Sequence, residues 1–131
     1  MSSSDSRDRE RGINVHVEAH YAAHMSKPEA RNWFFTYTVS IVNNGEAPAR
    51  LLAREWTITD GIGVVSKVSG PGVVGETPRL EPGETFQYTS GCPLKTPFGS
   101  MSGLYIMVTD DGARFSASIP EFMLMTPGSL N

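Results

Sequence analysis

The chain has 131 residues, 39% hydrophobic and 19% charged, with 11 basic and 14 acidic side chains and a formal net charge of -3. That length supports one domain built on one core, and the composition excludes wholesale disorder. The acidic balance supplies no basic field for a nucleic-acid partner, and no apolar run approaches the ~18 residues of a membrane-spanning helix, so neither nucleic acid nor membrane insertion is expected.

The N-terminal stretch MSSSDSRDRERG is polar and serine-rich, without the apolar segment of a secretory signal. Residues 1–11 are therefore expected to form a disordered tail ahead of a domain over residues 12–131. Cys92, the single cysteine, has no internal partner for a disulfide. Together these features predict a cytoplasmic protein.

Past the tail, INVHVEAHY alternates: Ile13, Val15, Val17, Ala19 and Tyr21 share one face, and Asn14, His16, Glu18 and His20 the other. A period of two marks a half-buried strand. WFFTYTVSIVN repeats the pattern with Trp33, Phe35, Tyr37, Val39 and Ile41 inward, in residues that favour strands. Asn44-Gly45 reads as a turn whose residues both tolerate positive φ. A third strand over about Arg50 to Thr59 places Leu52, Trp56 and Ile58 on one face, interrupted by Arg54. Asp60-Gly61 turns into the short strand VVSKV, which runs into the glycine-rich stretch GPGVVGE.

Beyond it, Pro82-Gly83 predicts a turn with Gly83 at positive φ. TFQYTSG follows with Phe86 and Tyr88 inward, then MSGLYIMVTD, apolar on both faces as a central strand should be. Asp111-Gly112 is a hairpin signal leading into the alternating ARFSASI, and a short apolar piece, FMLM, precedes Pro127. No segment carries a helical period. Seven or eight short strands with frequent turns predict an all-β, immunoglobulin- or fibronectin type III-like antiparallel β-sandwich.

Gly70, Gly72 and Gly75 have the G-x-G-x-x-G spacing that cradles a dinucleotide pyrophosphate at a helix N-terminus. Here ETPRLEPGET follows, with prolines at 78 and 82 and no apolar helical face. Pro71 removes an amide and Glu76 adds a carboxylate, so the spacing is expected to serve loop geometry rather than phosphate. His16, Glu18 and His20 invite a metal reading. Residues four apart on a strand lie ~13 Å apart, too far for both histidines to reach one ion at ~2 Å. His24 in the next loop is the nearest further ligand, and the polar residues are expected to line a solvated face. Asp60, Glu76, Glu81, Glu84, Asp110 and Asp111 sit in turns, where one or two carboxylates suffice for loose Mg²⁺ binding. No histidine lies near Cys92 in sequence and no helix precedes it, so it is not expected to be a nucleophile. Phe34 on a polar face, and Phe122, Met123 and Met125 in EFMLM, form a candidate surface for a protein partner or a second copy of the chain.

The segments GPGVVGETPRLEPGETFQYTSG, TPFGSMSGLYIMVTDDGARF, LLAREWTITD and the closing SLN together resemble the ApaG family, over roughly Ile13 to the C-terminus. The resemblance implies a fibronectin type III or immunoglobulin-like sandwich and, in bacteria, a link to cobalt tolerance and magnesium efflux, often beside diadenosine tetraphosphate hydrolase genes. In eukaryotes a similar domain is attached to an F-box protein and to a DNA polymerase-interacting protein, as a binding module. The family supplies no catalytic residues to carry over, and its most recognisable feature is the glycines at 70, 72 and 75. The expectation is a non-enzymatic binding module without a cofactor, engaging another protein and connected with divalent cations. Two alternatives stand beside it: a small-anion or nucleotide binder using Gly70, Gly72, Gly75 and Glu76, and a direct Co²⁺ or Mg²⁺ binder using His16, Glu18, His20 or the loop carboxylates.

Overall fold

A computed structural model describes residues 2–7 and 11–128. Among the described residues nine strands run in chain order: β1 (Ser2–Arg7), β2 (Ile13–Tyr21), β3 (Trp33–Asn43), β4 (Ala49–Asp60), β5 (Val65–Pro71), β6 (Arg79–Leu80), β7 (Thr85–Leu94), β8 (Phe98–Thr109) and β9 (Arg114–Met125). Two single 3-10 turns, Ala23–Met25 and Pro28–Ala30, join β2 to β3. No helix among the described residues is long and apolar enough to cross a membrane.

The strands form two antiparallel sheets, one in the order β1-β2-β3-β7 and the other β5-β4-β8-β9, with β6 also paired to β4. This is the predicted sandwich. Alternation alone locates β2 and β3: Ile13, Val15, Val17 and Ala19 are buried, as are Phe35, Tyr37, Val39 and Ile41. Tyr21 and Trp33, at the strand ends, are half-buried and pack against the same core.

Ser2–Arg7, within the segment expected as a tail, pairs with β2 from Ser2 opposite Ala19 to Arg7 opposite Asn14. Backbone pairing at a sheet edge needs no apolar side chains, so a serine-rich strand leaves no hydrophobic pattern to find. Residues 1 and 8–10 of that segment, and the SLN of 129–131, lie outside the described residues.

Two bulges correct the expected inward faces. Leu51 pairs with Met107 and Ala53 with Ile106, so Leu52 is an extra residue in β4. The parity reverses there, with Ala49 and Leu51 buried before it and Trp56 after it, so Leu51, not Leu52, belongs to the core. In β9, Met101 opposes Phe122 while Gly103 opposes Ile119, which leaves one extra residue between them. Ile119 and then Phe122 and Leu124 are consequently all buried, and FMLM is the end of β9 rather than a separate piece.

The turn after β3 also works differently from its sequence signal. Neither Asn44 nor Gly45 has positive φ. Gly45 is needed for close approach, because a Cβ there would lie 2.2 Å from the Arg11 carbonyl oxygen. The buried Asn43 organises the loop: its Nδ2 donates to the carbonyls of Ala47 and Leu80, both at 2.9 Å, and its Oδ1 accepts from the Gly45 amide. Gly83 (φ 89) and Gly112 (φ 91) occupy the predicted turn conformations.

Candidate functional site: a cleft between the two sheets

β9 lies against β1 and β2, closing one side of the sandwich. On the other side the edge strands β5 and β7 leave an inter-sheet cleft of about 540 Å³. Arg54, Trp56, Ile58 and Asp60 of β4 line it, with Val64, Ser66 and Val68 facing Ser90 to Lys95. The bulge at Leu52 is what brings Arg54 here. Two residues before Trp56, Arg54 shares its inward face, whereas without the extra residue it would point outward with the opposite parity.

Aromatic rings build the floor. Tyr37 of one sheet meets Trp56 of the other edge-on at 5.4 Å between centroids, and Trp56 packs on Phe122 at 6.0 Å and Tyr105 at 6.4 Å. The hydroxyls of Tyr88 and Tyr105, 2.5 Å apart, tie the two sheets together. Burial raises the pKa of Tyr37, Tyr88 and Tyr105, and the Arg54 charge acts in the opposite direction on all three. Burial alone pushes the Cys92 thiol up to about 11, so it is a thiol at neutral pH. The groups that could act as nucleophiles here are held in their neutral forms.

The glycine stretch is the seat of Arg54. Arg54 Nη1 donates to the carbonyls of Pro71 and Gly72, both at 2.9 Å. Gly70, directly opposite Arg54 in the ladder, leaves room for the guanidinium: a Cβ there would lie 3.3 Å from Nη2. The loop amides turn inward. Gly72 donates to Leu52, Val73 to Glu76 and Glu76 back to Val73. Val74 (φ 43) and Gly75 (φ 81) are the centre of this two-residue turn, the positive-φ pair of a type I′ hairpin. Pro71 and Gly72 thus present carbonyls to an arginine, Gly70 leaves it room, and Gly75 and Glu76 close the turn, after which the chain continues to β6 rather than into a helix.

The other predicted site residues are dispersed. His16 Nε2 and Glu18 Oε1 are 3.3 Å apart, while His20 and His24 are exposed. No group of three His, Cys, Asp or Glu residues that could hold a metal occurs among the described residues. The acidic turn residues are engaged locally. Arg79 pairs with Glu81 at 2.6 Å and Asp110 at 2.5 Å, Glu84 accepts from the Glu81 amide, and Asp111 accepts from Thr109 and Ala113. The Arg79 guanidinium holds the Asp110 carboxyl below its usual range. Phe122, 2% exposed and packed on Tyr37 and Trp56, belongs to the core and not to a partner surface. Phe34 covers Gly91, where a Cβ would fall 2.4 Å from its ring. Met123 is 37% exposed and Met125 half-buried.

Sequence reasoning missed the cleft. Its one signal was Arg54 breaking an apolar face, a charge where parity called for a core residue. The exposed aliphatics Ile62, Val64, Val65 and Val68 of the β4–β5 hairpin also escaped notice, because residue type alone does not tell an aliphatic on an open edge from one in the core.

The ApaG domain family model matches residues 23–109. The chain is 53% identical over 121 residues to Protein ApaG of Caulobacter vibrioides, covering 92% of this chain and 86% of that one. Protein ApaG of Anaeromyxobacter dehalogenans is 52% identical over 120 residues, covering 92% and 94%. The crystal structure of the putative ApaA protein from Bordetella pertussis superposes with a TM-score of 0.88 at 46% identity, over 91% of this chain and 97% of that one. The chain belongs to the ApaG domain family.

Proposed function

We propose that this protein is a non-enzymatic binding module that engages another protein along the open β5 edge. The observation that carries the reading is the apolar hairpin there: Ile62 is 80% exposed, Val64 and Val65 54% each, and Val68 45%. An edge strand presents unpaired backbone groups, and aliphatic side chains beside them suit strand addition by a partner. The neutral state of Tyr37, Tyr88, Tyr105 and Cys92 favours recognition over turnover. The family's association with cobalt and magnesium then acts through the partner, in the cytoplasm, and not through ions held by His16, Glu18 and His20.

Site-specific photo-cross-linking in cells tests this. A benzophenone side chain at Val65 or Val68 is expected to give a discrete adduct with another polypeptide, and one at the exposed Ser118 of β9 to give none. Equal labelling from all three positions, or none from Val65 and Val68, would refute it.

A further inference from the structure

The cleft behind the β5 edge has a chemistry that a partner surface does not require. We propose that it is a binding site for a small amphipathic monoanion, whose apolar body lies against the paired Trp56 and Val68 and whose anionic group meets Arg54. Its volume, about 540 Å³, is that of a small-molecule site, which typically spans ~300–1,000 Å³ and combines apolar walls with a few polar groups. Trp56 is 4% exposed at the floor, while Val68, its partner on the same face, and Val64 just before β5 remain open to solvent.

Arg54 supplies the polar group. Its Nη1 is spent on the carbonyls of Pro71 and Gly72, which fix the plane of the guanidinium. No carboxylate among the described residues pairs with it, and its Nη2 and Nε donors have no acceptor among those residues. A guanidinium oriented by backbone, with a fork of N–H groups remaining, is suited to a carboxylate or sulfonate. Asp60, the carboxylate in the same cleft, lies six residues along β4, ~20 Å away at the usual rise. Its Oδ1 accepts from the amides of Ile62 and Val64. Lys95 adds a second positive charge at the exposed rim.

This site shares Val64 and Val68 with the partner surface proposed above, whereas Ile62 and Val65 do not line it and belong to that surface alone. Fluorescence titration of the full chain with two dyes on related skeletons, anionic 8-anilinonaphthalene-1-sulfonate and neutral N-phenyl-1-naphthylamine, tests it. The folded protein is expected to bind one sulfonate dye per chain at least tenfold more tightly than the neutral one. Arg54→Met should abolish that preference while changing neutral-dye affinity less than twofold. Val68→Glu, at a position open enough to spare the fold, should weaken the anionic dye more than the neutral one, and it decides the matter if Arg54→Met does not fold by near-ultraviolet circular dichroism. A wild-type protein that binds neither dye, or shows no preference, would overturn the proposal, as would a preference that survives the folded variants. Those outcomes leave the cross-linking result at Val65 untouched.

Discussion

Val74→Asn should make this protein more stable, although it replaces an aliphatic residue with a polar one. Val74 sits at φ 43, in the left-handed region, as the first central residue of the turn from Val73 to Glu76. A β-branched side chain there carries about 1–2 kcal/mol of steric cost. Asparagine adopts this conformation readily, and Asn-Gly is the favoured pair for a type I′ turn. Val74 is 53% exposed, so about half of its ~1.5–3 kcal/mol burial value is at stake, and the asparagine stem keeps part of that. The net gain is about 0.5–1 kcal/mol, a rise in Tm of roughly 2–4 °C for a domain of this size. Val74→Gly also removes the strain but adds about 0.5–1 kcal/mol of backbone entropy, and should fall near the wild type. Val74→Ala keeps the strain and loses contact, and should fall below it. Urea and thermal unfolding of the four proteins give the order, and an asparagine variant less stable than the wild type would refute the argument.

Three other expectations rest on the core. Burial raises the pKa of Tyr37, Tyr88, Tyr105 and Cys92, whose ordinary values are 10.0 for the tyrosines and 9.0 for the thiol. The folded chain therefore keeps protons that the unfolded chain releases, so stability is intact below pH ~9 and falls as the pH rises. Each group ionised only in the unfolded state contributes about 1.4 kcal/mol per pH unit. Urea midpoints that do not drop between pH 8 and 11 would contradict this. Phe122→Ala empties a site enclosed by Tyr37 and Trp56 and should cost about 3–5 kcal/mol, against less than ~0.5 kcal/mol for Met123→Ala next to it, as equilibrium urea unfolding will show. Asn43→Ala strands the Ala47 and Leu80 carbonyls and the Gly45 amide. It should cost at least ~2 kcal/mol and speed hydrogen exchange at Gly45, and an unchanged urea midpoint would show that water replaces the side chain.

The strands were legible because a period of two is a local property. Ile13 to Ala19 and Phe35 to Ile41 announce their buried face from residue type and spacing alone, and Gly83 and Gly112 announce their turns. The glycine stretch was also partly legible by local reasoning, since the prolines after Gly75 leave no helix for a dinucleotide site. What the chain does with those glycines was not local. An extra residue at Leu52 exists only relative to β8, and the extra residue in β9 only relative to Met101 and Gly103. Such a bulge leaves composition and spacing unchanged, yet reverses every side chain beyond it. Tertiary pairing therefore decided that Arg54 faces the cleft, that Pro71 and Gly72 hold it there, and that Phe122 joins the core. Sequence alone determined a β-sandwich and most of its turns; the register between its strands determined that the half-buried guanidinium of Arg54 points into the cleft.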